Sequence, residues 1–135
     1  MKKVFALLIL AISFVGCELE DDERSSVPQL GPIEDVTMPA RYKVDSVSKI
    51  VIRYRQPSTC HIFTGFYYER FSTTRTVAIQ FNKLNRNNCE PLNEPPFETE
   101  LNFEPQASGA YTFKFWTGFD EAGAETYITE EVVVP

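Results

Sequence analysis

Histidine occurs once in this 135-residue chain, at position 61, and tryptophan once, at position 116. A single histidine excludes metal motifs such as HExxH, and any nucleophile–base arrangement would have to be built on His61 alone. No GxSxG, P-loop or GxGxxG sequence occurs, so the glycine-dependent turns of α/β hydrolases and nucleotide-binding folds are missing as well. Basic residues are few. With 13 Lys and Arg against 19 Asp and Glu, the formal net charge of -6 has the wrong sign for neutralising phosphates, which argues against nucleic acid as a partner. Long apolar runs are also absent: the longest, residues 4–15, has 12 residues, well short of the roughly 20 needed to cross a bilayer as a helix. Nothing in the composition implies a cofactor.

What is present begins with that short run. Lys2 and Lys3 precede "VFALLILAISFV", which is uncharged and carries Ser13 as its one hydroxyl, the pattern of a secretory leader with a basic start and an apolar middle. It ends in "FVGC", residues 14–17, after which the chain turns acidic at once. These residues resemble the lipobox of bacterial lipoprotein precursors, with Phe14 standing where that family usually has Leu. The resemblance implies a signal peptide over residues 1–16, cleavage after Gly16, a diacylglyceryl thioether on Cys17 and acylation of the new amine. Two or more acyl chains anchor stably where one binds only marginally.

Glu18, Glu20, Asp21, Asp22 and Glu23 follow the cysteine. Such a stretch cannot bury itself and reads as a solvated tether. It also resembles the acidic export signals of surface lipoproteins from Bacteroidetes-type bacteria, which implies an outer-membrane anchor with the domain facing the cell exterior. A charged spacer on a lipoprotein that stays in the periplasm is the alternative. Pro28 and Pro32 extend the tether reading to residues 17–32 and leave residues 33–135 as one domain.

Within that domain the hydrophobic period is two. "FETELNF" alternates Phe97, Thr99, Leu101 and Phe103 with polar residues; "YTFKFW" sends Tyr111, Phe113 and Phe115 to one side, "RTVAIQF" sends Val77, Ile79 and Phe81, and "KIVIRYR" sends Ile50, Ile52 and Tyr54. Further strands are expected over residues 33–38, 60–70 and 125–134, separated by turn-forming clusters. Seven short strands at this spacing predict an all-β fold, an antiparallel β-sandwich that resembles the immunoglobulin-like architecture in a general sense.

With Cys17 assigned to lipid, Cys60 and Cys89 remain to form one disulfide, as the oxidising side of a membrane permits. That bond leaves no thiolate for catalysis or for zinc. Cys60 and His61, being adjacent on a strand, point to opposite faces, which argues against a Cys–His pair. Asp120, Glu121 and Glu125 surround a glycine, but their spacing does not fit an EF-hand and a polar hairpin turn accounts for them. No catalytic residue and no metal site is assigned; the chain reads as a non-enzyme.

Aromatic residues make up 13% of the chain. Strict alternation sets Phe63 and Tyr67 opposite Ile62, Phe66 and Tyr68, and Trp116 opposite Phe113 and Phe115, which places Phe63, Tyr67 and Trp116 outside the core. Exposed aromatic patches mark partner surfaces. The expected function is that of a membrane-anchored binding or accessory module for an unidentified protein or glycan. The alternative is an enzyme-associated role such as proteinase inhibition, presented by the disulfide-bound stretch of residues 82–96.

Overall fold

The computed structural model describes Gly16 and residues 25–135. The expected leader up to Val15, the lipidation position Cys17 and the acidic run from Glu18 to Glu23 lie outside the described residues.

Eight β-strands and no helix make up the described chain: β1 (Ser26–Gly31), β2 (Asp35–Thr37), β3 (Ser48–Tyr54), β4 (His61–Phe71), β5 (Thr74–Leu84), β6 (Phe97–Phe103), β7 (Gly109–Phe119) and β8 (Glu125–Val134). Seven of these fall on the stretches where period-two patterning predicts strands. The eighth, β1, is a correction to both the strand count and the tether. It pairs with β5 from Ser26↔Leu84 to Gly31↔Ile79, so the sheet begins inside residues expected to be linker. Pro28 is compatible with this because β1 has β5 on one side only, and a sheet edge tolerates a residue without an N–H donor.

Five strands form one sheet and three the other, the latter in the order β2-β3-β6. In the larger sheet β4 lies along one side of β5, while β1 and β7 share the other side, β1 beside residues 79–84 and β7 beside residues 74–77. The β5–β7 pairing is parallel, which corrects the expectation of a wholly antiparallel fold. The chain changes sheets between β1 and β2, as strands do at sandwich corners. Ile33 sits at that corner, 1% exposed, its N–H donating to Trp116 O in one sheet while the next N–H, from Glu34, donates to Arg53 O in the other.

Both sheets supply a single core. Ile50, Ile52, Tyr54, Leu101 and Phe103 from the smaller sheet meet Val77, Ile79, Phe81, Tyr111, Phe113, Phe115, Val132 and Val134 from the larger one. Edge-on aromatic pairs cross between the layers, Phe103 with Phe113 at 4.9 Å between centroids and Tyr54 with Phe81 at 5.8 Å. Alternation therefore sorts these strands as their sequences require, except that Phe97, at the end of β6, remains 40% exposed.

Cys60 and Cys89 are bonded. The bond ties the residue before β4 to the loop after β5, so it staples the two ends of one hairpin and does not cross between layers. Thr59 N donates to Glu90 O, Glu90 N to Thr59 Oγ1 and Leu92 N to Pro57 O along the same seam.

Candidate functional site

The two outer sheet faces differ in chemistry. On the smaller sheet Lys49 pairs with Glu100, Arg53 with Asp35 and Glu98, and Arg55 with Glu34. Such exposed pairs contribute little stability and mark a face built to stay in water. The outer face of the larger sheet instead carries a cleft of about 250 Å³ lined by Leu30, Tyr67, Glu69, Thr76, Ala78, Trp116, Glu125 and Tyr127.

Strand register explains the cleft. Tyr67 is paired with Ala78, and Trp116 with Tyr127. The small side chain at Ala78 leaves a depression between large neighbours, and Leu30 is brought to it by β1. Tyr67 is 39% exposed and donates its hydroxyl to Glu69 Oε2; Tyr127 donates to Glu125 Oε2 at 2.9 Å. Those hydrogen bonds raise both phenol pKa values above the ordinary range, with the carboxylate charges adding to the effect, so both hydroxyls stay protonated at neutral pH. Lys114 Nζ lies 4.2 Å from the centre of the Tyr127 ring, and Phe119 meets Trp116 edge-on at 5.5 Å. Trp116 Nε1 is buried with no hydrogen-bond partner among the described residues. A buried donor left in this state costs about 1–3 kcal/mol until something accepts from it.

Of the three aromatics expected outside the core, the structure brings Tyr67 and Trp116 together and separates Phe63 from them. Phe63 packs against the core, its ring stacked on Tyr54 at 5.1 Å and edge-on to Phe66 at 5.8 Å. A β-bulge between Phe63 and Gly65 is the physical reason. It inserts one residue, so Phe63 pairs with the inward Phe81 and Phe66 with the inward Ile79, while Tyr67 emerges on the other face. Gly65 has φ 138°, a conformation that side chains disfavour, and a glycine inside an aromatic strand is the sequence signal for such a bulge. Tyr127, absent from the expected set, becomes visible only through its register with Trp116.

The remaining polar candidates are engaged locally. Ser58 Oγ and His61 Nδ1 are 2.7 Å apart, and Ser58 Oγ also accepts from Cys60 N. His61 is 6% exposed and edge-on to Phe81; burial, with Lys83 as a second cause, lowers its pKa, so the imidazole is neutral at pH 7. No carboxylate hydrogen-bonds this imidazole among the described residues. Asp120 Oδ1 accepts from Ala122 N and Ala124 N at 2.9 Å each, closing the β7–β8 turn, and Glu125 accepts from Tyr127. Among the described residues no group of three or more His, Cys, Asp or Glu is placed to hold a metal ion.

No protein-family model matches the chain, and neither the curated proteins nor the solved structures contain a match to it.

Proposed function

We propose that this protein is a lipoprotein of the outer membrane, held by lipid on Cys17 and facing the cell exterior, whose β domain is a non-catalytic binding module. The anchor reading rests on the short apolar leader and the lipobox-like FVGC. The binding reading rests on one contrast: the smaller sheet turns an ionic ladder to solvent, whereas the larger sheet turns out a cleft walled by Tyr67, Trp116 and Tyr127. Flat apolar rings framed by hydroxyls and carboxylates complement a ligand that is apolar on its ring faces and hydroxylated at its rim. That is pyranose chemistry, and it favours a glycan over a protein. The cleft is smaller than the usual drug-sized pocket, which suits one sugar unit of a longer chain.

The connectivity reads as a variant of the immunoglobulin-like sandwich. β2, β3 and β6 stand in the order of its A, B and E strands, and the β7–β8 hairpin corresponds to F and G. The departure is β5 lying beside β7, with β1 as an addition.

Full-length protein purified in detergent, probed on an array of neutral glycans, tests this function. At least one glycan should be retained, and Tyr67→Ala and Trp116→Ala should each weaken it tenfold or more without large loss of stability. An array without any binder, or a Trp116→Ala variant that fails to fold, contradicts the binding face. Protease shaving of intact cells tests the outward orientation. A second reading, proteinase inhibition, draws support from the loop containing Cys89, which is pinned by the disulfide and by the bridge between Ser58 and Pro91. Uniform lack of inhibition across a protease panel would remove it.

A further inference from the structure

Arg70 and Arg75 face each other directly across the β4–β5 hairpin. Like charges in that register repel, and among the described residues neither guanidinium forms an ion pair with a carboxylate, although every ion pair of the smaller sheet's outer face is satisfied. Both arginines share the inward parity of Tyr68 and Val77, two register pairs further along, where the sheet extends past the end of the core. Arg75 is held in place by the backbone. Arg75 Nη1 donates to Ser72 O at 2.8 Å and to Thr74 O at 3.1 Å, and its guanidinium lies 5.2 Å from the centre of the Tyr111 ring; that of Arg70 lies 5.7 Å from the Tyr68 ring. Across from them β6 supplies Leu101 and Phe103 and the residues after it Glu104 and Gln106, and the space between is a groove of about 500 Å³.

We propose that this groove binds the carboxylate of an acidic sugar, a uronic or sialic-type acid, between Arg70 and Arg75. Guanidinium forks match a planar carboxylate, and here two of them stand side by side on adjacent strands, each beside an aromatic ring and Arg75 held by two backbone carbonyls. The amide of Gln106 and the carboxylate of Glu104 provide donors and an acceptor for ring hydroxyls, and the volume lies in the range of small-molecule sites.

Ser26 pairs with Leu84, nine residues along β5 from Arg75, a separation of about 30 Å at the rise of a strand. The groove lies at the end of the sheet opposite the one where the chain enters.

The test is isothermal titration of the full-length protein in detergent with a panel of uronic-acid and sialic-acid oligosaccharides, their methyl esters and an oligoglutamate peptide, at fixed ionic strength. The expected result is binding of at least one acidic sugar, tenfold or more weaker for its ester and for Arg70→Gln, only partly restored in Arg70→Lys, and unchanged in Trp116→Ala. The last arm separates this site from the aromatic cleft, so either can fail alone. Overturning results are no binding across the panel, equal binding of acid and ester, no effect of Arg70→Gln in a variant with unchanged melting temperature, or tighter binding of the peptide than of any sugar.

Discussion

Gly31 lies against the ring of Phe81 so closely that a β-carbon on Gly31 would stand 2.2 Å from Phe81 Cε2. Phe81 is 1% exposed and has little room to yield. Gly31→Ala should therefore cost about 2 kcal/mol through overpacking, read as a lower denaturant midpoint with unchanged slope. The same substitution in a free tether would be silent. An unchanged midpoint would mean that β1 does not dock on β5.

Phe63 and Tyr67, four residues apart on β4, should respond oppositely to truncation. Phe63→Ala removes a ring stacked on Tyr54 inside the core and should destabilise by about 3 kcal/mol. Tyr67→Ala, on the open face, should cost less than about 1 kcal/mol. Equilibrium unfolding of both variants decides, and equal costs would contradict the bulge at Gly65 as the point where the faces exchange.

Replacing Cys60 and Cys89 together by Ala releases a loop of sequence separation 29. Chain entropy puts the loss at about 3.5 kcal/mol, a large share of the stability of a small domain. The double variant should melt well below the parent under non-reducing conditions, and the parent treated with reductant should match it. A variant as stable as the parent would show that the hydrogen bonds along the seam suffice.

His61 gives the fold a pH dependence of defined sign. Its folded pKa lies below the ordinary 6.5, chiefly through burial. As pH falls through 6.5 the unfolded chain takes up a proton that the folded chain refuses, so stability drops there and levels off below the folded value. Urea midpoints should decline between pH 7.5 and 5.5 in the parent, and the decline should shrink in His61→Gln. A parent insensitive to pH over that window would place His61 in contact with water.

Much of the fold was legible because its strands bury one face each. Wherever a strand runs straight, as β3 and β7 do through Ile50, Ile52, Phe113 and Phe115, alternation alone assigns inside and outside. Three features escape that rule. β1 has no apolar alternation and carries Pro28, so its place depends on an edge that only the fold provides. Phe63 changes face because one inserted residue breaks the period. Tyr127 and the Arg70–Arg75 pair gain meaning only from the strand opposite, a relationship that local sequence does not encode.

The proposal of a membrane anchor depends on lipid on Cys17, and the mass of the natural protein isolated from its host's cells tests it most directly. The N-terminal peptide should begin at Cys17 and carry a diacylglyceryl group on sulfur together with an acylated amine. A peptide with an unmodified Cys17 thiol, or a mature chain starting at any other residue, would contradict the account.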